Sequence, residues 1–326
     1  MIKRIKFENF RSFVKAEAEL QPFTLVIGTN GAGKSNLLKW FRLLSTRKKG
    51  NFHTGNGMKP RFLFQQDWVG HIEHLNHPKK FLIELSDGTS VSGDEKGIEG
   101  DIDLPWPETI LPLFNLDPAT ISSQEKIIGL PAIDSSGKGT TQVLDALKSG
   151  DREDLFDRIE ESLRRYVPEV EKLSLKSGDN QKVIQIRERG LKTPLPASEL
   201  SEGTRLILCI LTIIHQENPP PVILLEDIDR GMHPRLFEHI APLMRQIAEE
   251  HDINIIATTH NPYLVDAFQD AKECVLLVEK VDGASILVPL IDRLKGMDYD
   301  EVECDMPLGQ LWYSGLIGAV PQRQSK

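Results

Sequence analysis

Gly28-Thr29-Asn30-Gly31-Ala32-Gly33-Lys34-Ser35 is an uninterrupted G-x-x-x-x-G-K-S octet, and its flanks decide how it is read. The apolar run Phe23 to Ile27 before it predicts a strand, and Asn36 to Leu44 after it has helical periodicity. Strand, loop and helix in that order are the context a phosphate-binding loop requires. Gly28, Gly31 and Gly33 let the backbone turn sharply and bring its N–H groups against phosphate oxygens, while Thr29, Asn30 and Ala32 fill the loop between them. Lys34 reaches terminal phosphates as a point charge, and the Ser35 hydroxyl suits Mg²⁺. The helix that begins there, with Asn36 in its first turn, adds its positive dipole end.

The wider composition sets bounds. A chain of 326 residues that is 40% hydrophobic supports one large domain or two small ones. Charge interrupts the opening Met1 to Phe10, so no signal-peptide core is expected there. The longest apolar run, Leu206 to Ile214, is far short of the roughly 20 residues of a membrane span. A cytoplasmic location without membrane partners is therefore expected. Cys209, Cys274 and Cys304 form no C-x-x-C pair, which favours reduced thiols over disulfides or zinc. A net charge of −9 argues against a body that coats nucleic acid through its overall field, although Arg42, Arg47, Lys48 and Lys49, and Arg164-Arg165 further on, form local basic clusters.

Along the chain, Ile5 and Phe7 alternate with Lys6 and Glu8 as in a strand. From about Gly50 the glycines and Pro60 predict a loop; Phe81 to Leu85 predicts a strand turned by Asp87-Gly88. Residues 93 to 140 read as a partly irregular insertion, after which Leu155, Phe156, Ile159, Leu163 and Tyr166 fall at helical spacing. Val170 to Lys176 and Lys182 to Arg189 predict a hairpin around Gly178-Asp179-Asn180. Leu206 to His215 predicts a buried helix, Val222 to Leu225 and Ile253 to Ala257 buried strands, and Leu236 to Ile247 an amphipathic helix opened by Pro234. Cys274 to Glu279 and Ser285 to Leu290 pair around Asp282-Gly283, and no heptad run predicts a coiled-coil arm.

Further signals follow the octet in fixed order. Leu200-Ser201-Glu202-Gly203-Thr204 opens the apolar helix: Ser201 is a good N-cap and Gly203 permits close backbone approach, so this helix start is either an anion site or a plain cap. Val222 to Leu225 ends in Glu226 and Asp227, and carboxyl ends of strands in α/β sheets are where ligands bind. Glu226 suits Mg²⁺ coordination; Asp227 suits the base that orients or deprotonates an attacking water. Gly231-Met232-His233-Pro234 starts the next helix, with His233 as a cap. Ile255 to Thr259 ends in His260, a hydrogen-bond donor for a γ-phosphate or its water.

Taken together, Asn9 to Phe13, Gly28 to Leu37, Leu200 to Arg205, Leu224 to Pro234, Thr258 to Pro262 and the tail Leu308 to Gly315 resemble an ABC-class ATPase of the RecF/SMC-like branch. The resemblance is closest to stand-alone, OLD-like ATPases of prokaryotes assigned to the AAA family. It implies an α/β P-loop NTPase fold with a mixed central sheet, flanking helices, an antiparallel β subdomain and a helical, partly irregular insertion. One ATPase domain over 1–326 is expected, with lobes at 1–49, 50–195 and 196–326. The resemblance implies a homodimer that sandwiches ATP and Mg²⁺, Ser201 and Gly203 of one protomer capping the γ-phosphate held by Lys34 of the other. Arg11 matches an early arginine near the nucleotide, and Gln65, Gln66 and Gln124 are all candidates for a metal-sensing glutamine.

Two departures bear on function. The family's usual strand ending is Asp-Glu, whereas here it is Glu226-Asp227, which implies altered metal geometry and slow hydrolysis. The signature is Ser-Glu-Gly, unlike the Ser-Gly-Gly-Gln of transporter motors, so a transporter role is disfavoured. No OLD-type nuclease module is expected after Tyr313, and this chain alone is not expected to cut DNA. The expected activity is ATP hydrolysis that drives and releases a dimer acting on DNA, as in RecF-like repair, or on a separately encoded effector, as in phage defence. The alternative is a nucleotide-gated regulator of a toxin or nuclease with negligible turnover.

Overall fold

The computed structural model describes residues 1–44, 47–54, 57–64, 80–85, 90–94, 97–99, 113–122, 125–126, 131–178, 181–217, 219–230, 232–297 and 306–320. The chain opens with β1 (Ile2–Phe10), β2 (Phe13–Glu19), β3 (Phe23–Gly28) and α1 (Lys34–Leu44). Then come β4 (Arg47–Thr54), β5 (Gly57–Phe64), β6 (Lys80–Leu85), β7 (Ser90–Asp94), β8 (Gly97–Glu99) and β9 (Leu113–Phe114). After α2 (Pro118–Ile121) and β10 (Glu125–Lys126) follow α3 (Thr140–Ser149), α4 (Glu153–Tyr166), β11 (Val170–Gly178), β12 (Gln181–Glu188) and β13 (Leu195–Pro196). The remainder is α5 (Glu202–His215), β14 (Val222–Leu225), α6 (Phe237–Glu250), β15 (Asn254–Thr258), α7 (Pro262–Asp266), β16 (Val275–Val281), β17 (Ala284–Pro289), α8 (Leu290–Lys295) and α9 (Leu308–Tyr313). Two compact units divide these elements: Met1–Leu113 with Pro221–Leu224 and Ala248–Lys326, and Phe114–Pro220 with Leu225–Ile247.

The first unit holds an antiparallel sheet in the order β2-β1-β6-β7-β8 and a mixed sheet in the order β17-β16-β3-β15-β14-β9, whose last strand reaches the boundary. Within the mixed sheet β3 runs parallel to both β15 and β16, and β17 returns antiparallel to β16. All six residues of β3 are buried, as a parallel strand covered on both faces must be. The core under α1 is aromatic: Phe7 of β1 stacks on Trp40 with ring centres 4.5 Å apart and meets Phe13 edge-on at 5.3 Å. Leu37, Leu38, Trp40 and Phe41 present the buried face of α1 to this cluster, so the helix that begins at Lys34 is anchored by its own apolar side. Asn254 ties the sheets, since its Oδ1 accepts from the Ile2 N–H at 2.6 Å and its Nδ2 donates to the Ile2 carbonyl at 3.0 Å.

The second unit packs α3, α4 and α5 beside the sheet β10-β12-β11, with β13 paired to β12. Its core comes from Leu155, Phe156, Ile159 and Leu163 of α4, almost every residue of α5, and Leu173, Ile184 and Ile186 of the hairpin. Buried Glu160 is held there, accepting from the Leu173 N–H at 2.7 Å and pairing with Arg164.

Most expected elements are present, with three corrections. The stretch expected as a loop from Gly50 is an antiparallel hairpin, β4 paired with β5, in which Pro60 faces Asn51; a two-stranded ribbon tolerates the missing N–H. Helix α3 was not expected: it opens at Gly139, left-handed and without the side-chain cap that marks a helix start. Pro234 opens a 3₁₀ turn over Pro234–Leu236, capped by His233, and α6 itself begins at Phe237. Asp87-Gly88, Asp179-Asn180, Gly231, Cys304 and the candidate glutamines Gln65, Gln66 and Gln124 lie outside the described residues. No helix among the described residues is long and apolar enough to cross a membrane.

Cys209 and Cys274 are buried and form no disulfide among the described residues. Burial pushes the Cys209 thiol up to about 12, the nearby Asp134 and Glu125 charges add to this, and a hydrogen bond from Thr140 Oγ1 at 3.3 Å opposes it. Thiolate is the reactive form. Iodoacetamide at pH 8 should therefore leave Cys209 unmodified in the native protein and label it only in denaturant, as read by peptide mass spectrometry.

Candidate active site

Gly28 ends β3 where the chain has no room for a side chain. Its φ is +154°, and a Cβ there would lie 2.3 Å from the Val278 carbonyl oxygen of β16. The loop closes with Ala32 N–H donating to the Thr29 carbonyl at 3.1 Å, and Leu37 N–H to the Gly33 carbonyl at 3.0 Å starts α1. Lys34 is buried, and its Nζ donates to the carbonyls of Gly28 at 2.8 Å and Thr29 at 3.0 Å. The ammonium thus lies over its own loop, at the helix start, where backbone N–H groups and the dipole already favour an anion.

A second layer braces this loop. Arg11, at a left-handed φ of +52°, reaches Asn36 Oδ1 with its Nη1 at 3.4 Å, and Asn36 Nδ2 donates to Ser12 Oγ at 2.9 Å. Ser285 of β17 closes the circuit: its N–H donates to the Ser12 carbonyl at 2.6 Å and its Oγ to the Ala32 carbonyl at 2.5 Å. The space that a Cβ at Gly33 would need is filled by that same Ser285 hydroxyl, 2.6 Å away. Arg11 and Asn36 therefore do meet beside the loop. Ser285 had no signal in the sequence, being a lone serine in a strand with its partners more than 250 positions away.

His260 follows β15, whose Thr258 is level with Val26 of β3 in parallel register; Thr259 N–H donates to the Val26 carbonyl at 3.3 Å. Two positions further on each strand come exposed His260 and Gly28, so the histidine and the loop leave neighbouring strands at the same edge of the sheet. The next strand in order is β14, anchored where the Asn254 N–H donates to the Pro221 carbonyl at 2.9 Å.

The second unit carries the remaining candidates. Glu226 N–H donates to the Phe114 carbonyl at 2.8 Å, and Asp227 adopts a left-handed φ of +50°. Its carbonyl accepts from the Arg230 N–H at 2.9 Å, which makes a tight turn directly after the strand. Ser201 caps α5, its exposed Oγ accepting from the Thr204 N–H at 3.1 Å. Gly203 is buried, and a Cβ there would lie 2.6 Å from Leu236 Cδ1, so packing alone already demands a small residue.

Among the described residues no three His, Cys, Asp or Glu side chains are grouped to hold a metal. Ser35, at the start of α1, offers a hard hydroxyl oxygen of the kind Mg²⁺ takes alongside phosphate and water. Ser285→Ala should weaken nucleotide binding about fivefold, the equivalent of one hydrogen bond of about 1 kcal/mol, in a fluorescent-ATP titration.

Sequence families match the chain in two overlapping segments: one described as "AAA ATPase domain" over residues 1–151, and one as "AAA domain, putative AbiEii toxin, Type IV TA system" over 130–266. A comparison with curated proteins finds no match. Among solved structures, the SMC head domain from Thermotoga maritima is 16% identical, covering 88% of this chain and 98% of that one at a TM-score of 0.50. An Smc head with an extended coiled coil bound to the C-terminal domain of ScpA, derived from Pyrococcus furiosus, is 14% identical over 92% of this chain and 99% of its own, at 0.51. An SMC head bound to the C-winged helix domain of ScpA matches at 0.50, with 15% identity over 88% of this chain and 97% of that one. In fold the chain is an α/β protein of the P-loop type found in SMC head domains, and its segments 1–151 and 130–266 are similar to AAA-domain families.

Proposed function

We propose that the protein hydrolyses ATP in a homodimer that forms on nucleotide binding and parts after hydrolysis. The observation that carries this is the parallel register of β15 on β3, which delivers His260 and the phosphate-binding loop to one edge of the sheet, with β14 next in order. In this reading Gly28 to Asn36 cradle the phosphates and Lys34 turns from its loop carbonyls to the β and γ phosphates. Glu226 and Ser35 hold Mg²⁺, which on binding would offset phosphate charge. Asp227 takes the proton of the attacking water as its oxygen bonds to the γ-phosphorus and the bond to the β–γ bridging oxygen breaks. His260 donates to the γ-phosphate, and Ser201 and Gly203 of a second copy close the site.

Because the nucleotide forms part of such an interface, its hydrolysis switches assembly. The recipient of that switch is DNA or a separately encoded effector; two of the structural neighbours are held by a domain of ScpA, which supports a protein recipient. A nucleotide-gated regulator with negligible turnover is the second reading. The Glu226-Asp227 order and the toxin–antitoxin description of the middle segment favour it, and a phosphate-release assay separates the two.

Lys34→Ala should abolish ATP binding, whereas Asp227→Asn should bind ATP and accumulate as a dimer in size-exclusion chromatography. An Asp227→Asn protein that stays monomeric with saturating ATP would falsify the switch. Ser201→Arg should keep nucleotide affinity within about twofold and lose turnover by at least about a hundredfold, the scale of one lost transition-state contact. Retained turnover there removes Ser201 from the partner's site.

A further inference from the structure

The tail Leu308 to Gly315 matched the family pattern, yet nothing in the site uses it. In the fold it is a strap. Helix α9 lies on α7, the short helix that begins two residues after His260. Gly309 sits so close that a Cβ there would come within 2.0 Å of the Pro262 carbonyl oxygen. Its N–H donates to Asp266 Oδ1 at 2.7 Å, and the Leu308 N–H donates to Gln269 Oε1 at 3.2 Å. Leu308 and Leu311 bury against this seam, as do Leu264 and Val265 from α7. Burial raises the Asp266 carboxyl above its ordinary range, and the Gly309 hydrogen bond opposes the rise.

The far end of the strap is tied as firmly. Trp312 Nε1 donates to the Ala319 carbonyl at 3.1 Å, and the Ala319 N–H donates to Glu279 Oε1 at 2.6 Å. Glu279 also pairs with Arg293 and stands on β16, one residue beyond Val278, the partner of Gly28 in the ladder. Residues 308–319 thus connect the continuations of β15 and β16, the two strands that flank β3. At the His260 end, Asn261 is fixed between Thr259 Oγ1, which accepts from its N–H at 2.9 Å, and the Tyr263 N–H, which its own Oδ1 caps at 3.0 Å.

From this we infer that the C-terminal strap is a positioning element for His260, with Asp266 and Gly309 as its pins; the inference rests on the ATPase reading above. His260 stands exposed at a strand end, and the backbone of 259–266 that carries it is held from outside the sheet by α9. Asp266 and Gly309 are positioning residues that touch no substrate.

The test uses the full chain with Asp266→Ala, Gly309→Ala and the conservative Asp266→Asn, which keeps an acceptor oxygen. The alanine variants should lower kcat about tenfold and leave ATP affinity within twofold of the parent. Hydrogen exchange should quicken across 258–268 and stay unchanged across 24–40, and Asp266→Asn should restore both readouts. Unchanged exchange across 258–268, or a loss of affinity that matches the loss of turnover, would overturn the strap. Should the parent protein hydrolyse no ATP, the ATPase reading falls instead, and the exchange data still decide whether the strap holds this segment; should His260→Ala keep full turnover, the strap's role in positioning His260 falls while the ATPase reading stands.

Discussion

Strand β3 must stop beside β16, which runs on past it, and everything at the candidate site follows from how it does so. Flanked by β15 and β16, it has no lateral space at its end; the Val278 carbonyl stands where any side chain at residue 28 would begin. The backbone escapes only as glycine, and the turn it makes closes on itself through the Ala32 N–H and the Thr29 carbonyl before α1 starts. The aromatic cluster of Phe7, Phe13 and Trp40 then fixes α1, so the dipole end and Lys34 are held by packing on the opposite side of the helix. Binding geometry here is a by-product of sheet crowding above and core packing below.

That constraint also explains what could be read from residues alone. Phe23 to Ile27 and Ile255 to Ala257 are each an apolar run followed by glycine or polar residues, a local pattern that needs no tertiary knowledge. The same holds for Val222 to Asp227. The hairpin β4–β5 was hidden because Gly57 and Pro60 speak for a loop residue by residue, while the ladder with the adjacent strand overrides them. Helix α3 lacked the capping residue that marks a start, and Pro234 marked a 3₁₀ turn in place of the helix proper.

The bracing of the site was less legible than the site. Ser285 and Asp266 are ordinary residues in sequence, and their meaning comes from a neighbour's backbone: Ala32 for one, Gly309 for the other. Gly203 teaches the converse. Its place in the Ser-Glu-Gly signature suggested approach of a phosphate, yet Leu236 gives it a packing reason of its own, and the two are compatible because a small residue satisfies both. Hydrogen bonds to main-chain groups carry no side-chain signature at the partner position, which is why such residues escape pattern reading.

The turn after β14 bears on the unusual order of its two acids. Residue 227 is left-handed, a conformation that short Asp and Asn enter by bonding to their own backbone and that longer side chains enter at a penalty of about 1 kcal/mol or more. Exchanging the pair to Asp-Glu would seat the longer acid at the strained position. Local backbone handedness, and not the demands of chemistry alone, thus biases which carboxylate stands second, so a chain that kept this turn would retain the short acid there even at some expense in speed.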